Sequence, residues 1–211
     1  QSLIERALGL AQQERFADAL AVIAEARELA PQSDALAAHE RELRGQWAAA
    51  LRQHAREFME ASPPHPSAAL DCLNTLRGIG MEDVGSVELR RRAEWSVSNA
   101  RGLGFLNQAM FAEAIDALLQ SDLGDPHVRA ALAGARAKEA QRLMNLGRWG
   151  VALDTLQQID APDHEVLALV SRARAEHMLD QAAGFFNLKV FDGAEARLRE
   201  AEREPLDDIP G

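Results

Sequence analysis

Four segments of the chain, 14–23, 109–118, 147–156 and 189–198, align without gaps on one aromatic residue. In each, the aromatic (Phe16, Phe111, Trp149, Phe191) is followed by Ala three residues later and by Leu or Ile seven later. A weaker fifth copy at 66–73 has Pro66 in place of the aromatic, with Ala69 and Leu73 following. The anchors at 16, 66, 111, 149 and 191 lie 38 to 50 residues apart. Residues i, i+3 and i+7 share one face of a helix. On that face the aromatic plugs the gap between two helices, the Ala lets their backbones approach, and the Leu or Ile closes the far end. A two-helix hairpin cannot bury its own apolar face, so hairpins of this kind must stack on neighbours. The 211 residues divide into five units of about 42, within the range of helical-repeat arrays.

Turn signals separate the units. They are Pro31 with Ser33 and Asp34, the run 62–66, Gly78 to Gly80 with Asp83 to Ser86, Gly124-Asp125-Pro126, 160–163 and Glu204-Pro205. Asp125 before Pro126 suits an N-cap followed by Pro in the first turn, where a missing N–H costs nothing. Ala, Leu, Glu, Gln and Arg dominate and all favour helix. β-branched residues never alternate over a strand-length run, so an all-α chain is expected. Each unit should pair a long first helix with a short second one. The long segments 34–60, 86–108 and 163–189 span about 23 to 27 residues each.

The pattern of a small residue, the aromatic, Ala, an aliphatic and a later large apolar residue resembles the turn and second helix of a tetratricopeptide repeat. Gly147 to Leu156 resembles it most closely. Phe16 to Pro31 is also similar, with Ala26 and Pro31 where the family has its late Ala and terminal Pro, and Leu3, Ala7 and Leu10 as the first-helix trio. The units here are longer than the family's, and the later first helices lack its Trp-Leu-Gly signature. The resemblance implies a TPR-like α-solenoid of about five hairpins, right-handed, whose first helices line a concave groove. By that resemblance Asn99, Leu103, Asn107, Gln141, Met144, Asn145, Leu179, Phe186 and Asn187 are candidates for contacting a partner. Asn107, Asn145 and Asn187 each stand four residues before an aromatic. Read from position alone, they tend the end of the first helix and bond loop backbone groups.

Other features read as structural. The four aromatics share one register, which favours packing within the hairpin over a ligand stripe. Arg90-Arg91-Arg92, and Arg129, Arg136, Lys138 and Arg142 on the next long helix, are expected on a solvated face paired with Glu88, Glu94 and Glu139. The six histidines show no recurring metal-ligand spacing, so no metal is assigned. His164-Glu165 reads as first-turn dipole chemistry. Cys72 sits beside Leu73 and Leu76 as a buried, unactivated thiol. Gly102, Gly104, Gly134 and Gly184 read as close helix contacts or kinks. Phosphate-cradling Gly loops, nucleophile elbows and His-Glu-x-x-His are all absent, so no catalytic site and no cofactor are expected.

Charge and composition bound the rest. A formal charge of −10 argues against nucleic acid as the partner. No apolar run is long enough to span a membrane. The chain starts at Gln1 without a leader and ends in a Pro- and Asp-containing stretch, so it reads as an excised piece of a longer protein. Residues 1–204 are expected to form a single repeat domain and 205–211 a linker. Arg greatly outnumbers Lys and Ala is abundant, which points to a bacterial source. The expected role is a non-enzymatic, cytoplasmic interaction or scaffolding module. It would bind a protein, a peptide or another domain of the same parent chain. The alternative is a regulatory or spacer region of a multidomain enzyme, such as a signalling kinase or peptidase, whose catalytic domain lies outside this chain.

Overall fold

The computed structural model describes residues 2–203, and the expected linker at 205–211 lies outside that span. The described residues are all-helical, with ten helices in five successive pairs. These are α1 (Leu3–Gln12) with α2 (Phe16–Leu29), α3 (Asp34–Glu60) with α4 (Pro66–Gly78), and α5 (Val84–Asn107) with α6 (Phe111–Leu118). Then follow α7 (Pro126–Asn145) with α8 (Trp149–Gln157), and α9 (His164–Asn187) with α10 (Phe191–Ala201). The second helix of each pair starts on a repeat anchor. The long first helices α3, α5, α7 and α9 have 27, 24, 20 and 24 residues. The first pair departs from that plan: α1 has 10 residues and α2 has 14. Among the described residues no helix is long and apolar enough to cross a membrane.

First helices start on capping side chains, Asp125 as expected, whereas the second helices start without one. The Asp125 carboxylate accepts from the His127 N–H at 2.8 Å, with Pro126 opening α7. Asp163 accepts from the Val166 N–H at 2.9 Å to open α9. Ser2 and Glu5 exchange hydrogen bonds as a capping box at the head of α1.

In four of the five pairs the two helices are joined by one recurring turn. After α7, the Gly147 N–H donates to the Met144 C=O and the Arg148 N–H to the Leu143 C=O, both at 2.9 Å. This reciprocal pair satisfies carbonyls that the helix end would otherwise leave open. The same two bonds recur after α1, α5 and α9. They place Glu14, Ala109, Gly147 and Lys189 at φ 59°, 56°, 70° and 60°. Each stands two residues before its aromatic. Glycine occupies this left-handed position in only one of the four. The other three accept a local strain of roughly 1 kcal/mol.

The chain forms two compact units, residues 1–97 and 98–211. In the first, Ala7, Ala19, Ile23, Leu36 and Leu43 make a core across α1, α2 and α3. Ala48, Ala55, Ala69, Leu73 and Leu76 make another across α3 and α4, completed by Ala93 of α5. In the second unit, Ala114, Leu118, Val128, Leu132 and Ala135 join α6 to α7, with Phe105 and Leu106 packed against them. Ala140, Leu143, Met144, Ala152, Leu156, Ile159, Val166 and Ala173 join α7, α8 and α9. The repeat is therefore visible in the packing. The Ala at +3 is buried in all five copies, and the residue at +7 (Ile23, Leu73, Leu118, Leu156) is buried in four. In the fifth, Leu198 is exposed.

The arginine triplet departs from the expected solvated face. Arg90 is only 5% exposed. Its guanidinium donates to Glu82 at 2.6 Å, to the Asn74 side-chain oxygen at 2.6 Å and to the Leu73 C=O. It thereby ties α5 to the end of α4 and the loop between them. Arg52 of α3 meets the same loop, donating to the Met81 C=O at 2.6 Å and pairing with Asp83 at 3.0 Å. Arg91 does lie on the surface, against Glu88 and the Trp95 ring. Glu139 is also buried, held in a two-bond fork by Arg142 at 2.7 and 2.8 Å.

The glycines divide. A Cβ on Gly102 would stand 2.6 Å from Leu118 Cγ, so this glycine lets α5 and α6 approach closely. Gly104, Gly134 and Gly184 have open space where a Cβ would go, and close packing does not explain them.

Candidate functional site

All nine groove candidates lie in the 98–211 unit, on α5, α7 and α9. Three converge. Leu179, Phe186 and Asn187 line one shallow groove of about 380 Å³ between α9 and α10, with Ala182, Ala183, Ala194 and Leu198 as its floor and far wall. Phe186 is 63% exposed and Phe191 is 59% exposed. Their rings meet edge-to-face at 5.7 Å between centroids. Leu188 and Val190, in the turn beside them, are exposed as well.

The groove follows from the repeat itself. α9 and α10 pack together through the Ala residues between them, with Ala182 and Ala194 buried. The large apolar residues of the outer face, Leu179, Phe186 and Leu198, find no described helix over them. The expectation that all four aromatics pack inside their hairpins therefore needs correction: Phe191 meets Phe186 of its own hairpin but stays mostly exposed, and Phe16 packs on the next hairpin. Phe16 is 8% exposed and stacked at 6.5 Å on Trp47 of the next helix. Phe111 and Trp149 are half-buried.

The other candidates are more scattered. Leu103, Asn107, Gln141 and Asn145 are exposed on α5 and α7, and Asn99 is half-buried. Met144 is 4% exposed within the α7–α8 core, so its side chain is withdrawn from the surface. Asn107, Asn145 and Asn187 are each the last residue of a first helix. Their expected bonds to loop backbone are not made. The backbone turn described above already satisfies those carbonyls, and the three amide side chains point to no hydrogen-bond partner among the described residues.

Burial, with the neighbouring Asp71 charge adding to it, pushes the Cys72 thiol up from its ordinary pKa, away from a reactive thiolate. Among the described residues no group of three His, Cys, Asp or Glu side chains is placed to hold a metal ion. The arginines Arg129 and Arg136, expected on a solvated face, instead line a cavity together. They stand seven residues apart on α7 and face a separate cavity. The i, i+7 spacing was the available signal. No family model, curated protein or solved structure matches the chain.

Proposed function

We propose that the chain is a TPR-like α-solenoid module, a non-enzymatic bacterial and cytoplasmic scaffold that binds a protein partner through the α9–α10 face. The observation that carries this reading is the exposed Phe186–Phe191 pair beside the Leu179–Leu198 groove. Aromatics enriched at interface centres bury large area at small entropic cost. Contiguous exposed apolar surface on a soluble domain marks an interaction site. The repeated turn geometry and the buried Ala at +3 in every hairpin support the tetratricopeptide-like part of the reading. The rim residues Asn187 and Lys189 supply polar contacts around the apolar centre, the usual anatomy of an interface.

The test compares the unaltered chain with a double variant, Phe186→Ser and Phe191→Ser, in affinity capture from the source cell. Both side chains are more than half exposed, so the variant should keep its helical content and melting temperature. A partner held by the unaltered chain and lost by the variant supports the reading. A partner held equally by both contradicts it.

A further inference from the structure

A second cavity of about 630 Å³ lies in the 98–211 unit, between the loop after α6, the outer face of α7 and the loop after α8. Its size falls in the range of small-molecule sites. Leu119, Leu123 and Ile159 supply apolar wall, and Arg129 and Arg136 project from one stripe of α7. Both guanidiniums are held by neutral groups. Arg129 donates to the Leu123 and Gly124 carbonyls at 3.1 and 3.2 Å, and Arg136 donates to the Gln158 C=O at 2.6 Å. Neither has a carboxylate within ion-pairing distance among the described residues, in a chain where acids outnumber bases by 33 to 23. Arg136 Nε is buried and has no hydrogen-bond partner among the described residues. Buried polar groups almost always find one, so an orphan N–H beside a cavity marks an unfilled demand. Asp160 is the acid on the same rim, which leaves the lining one positive charge in excess.

We propose that this cavity is a binding site for a small aliphatic monocarboxylate. The carboxylate would sit between Arg129 and Arg136, where charge-assisted bonds are strongest. The aliphatic chain would lie against Leu119, Leu123 and Ile159. One net charge suits a monoanion, and Asp160 disfavours a phosphate dianion. The site is separate from the α9–α10 groove, so its failure and the failure of the partner-binding reading are distinguishable.

The experiment is a titration of the full chain with octanoate, followed by amide NMR shifts, with octylammonium and inorganic phosphate as controls. Octanoate should give saturable shifts centred on 119–123 and 158–161, and neither control should. Arg129→Gln should weaken octanoate binding about tenfold or more. Arg136→Gln should do the same, but it also frees the Gln158 carbonyl. Arg129→Gln, checked for an unchanged melting temperature, is therefore the deciding variant. The proposal is overturned by equal shifts with octylammonium, equal or tighter binding of phosphate, shifts that do not saturate or centre on 179–198, or indifference to Arg129→Gln.

Discussion

The first and last hairpins carry the same motif and end in different environments. Phe16 and Ile23 of α2 are buried, with Trp47 of α3 stacked on the Phe16 ring. Phe191 and Leu198 of α10 stand in solvent at the matching positions. The turn before each helix is nonetheless the same, with a left-handed residue two positions ahead of the aromatic. The motif therefore specifies the hairpin, and the helix laid over it decides whether the motif's large residues become core or surface. The Ala at +3 faces inward within the hairpin and is buried in both.

The sharpest way to break this comparison is truncation of the two aromatics. Phe16→Ala should cost about 3–4 kcal/mol, the usual range for a buried Phe. Phe191→Ala should cost under about 1 kcal/mol, as for an exposed position. Urea unfolding followed by circular dichroism measures both. Equal losses would remove the distinction.

The arginine triplet offers the same contrast over one residue. Arg90→Met strands Glu82 and Asn74 and should cost about 2–3 kcal/mol, since breaking a buried pair leaves its partner uncompensated. Arg91→Met removes a surface pair and should cost under about 0.5 kcal/mol. This network also sets an acid dependence. Hydrogen bonding from Arg90, above all, holds the Glu82 carboxyl below its ordinary range, and the Ser86 hydroxyl does the same for Asp83. Both carboxyls bind protons more weakly folded than unfolded. Their stabilisation is therefore complete above the unfolded carboxylate range, near pH 4, and drains as pH falls through the lower folded values. Unfolding midpoints between pH 7 and 3 should drop, and Glu82→Gln should flatten that drop.

The smallest contrast lies within α5. Gly102→Ala should destabilise by about 1–2 kcal/mol, because its new methyl meets Leu118. Gly104→Ala, two residues on, has open space and should stabilise by up to about 1 kcal/mol through helix propensity. Thermal unfolding of the two variants should shift in opposite directions.

Much of this was legible because the repeat spacing is local. The i, i+3, i+7 register placed the second helices, and Asp125 announced a helix start. Arg90 was not legible. Three consecutive arginines on an acidic chain read as solvated, and the partners Asn74 and Glu82 reach Arg90 only after the α4–α5 turn folds. The left-handed turn hid for a related reason. Glu14, Ala109 and Lys189 are not the residues that usually announce it, and the backbone bonds that close it leave no mark in the sequence. At the candidate site, Leu179, Phe186 and Asn187 were found through the family resemblance. Phe191 was missed because its register matches the buried aromatics, and register carries no information about what covers a helix.

The central claim is that one motif produces a covered face in the first hairpin and an open one in the last. Hydroxyl-radical footprinting of the intact chain, read by mass spectrometry at each Phe, tests it without a partner or a variant. Phe186 and Phe191 should label on the order of ten times faster than Phe16, following their exposure. Labelling of Phe191 as slow as that of Phe16 would contradict the claim.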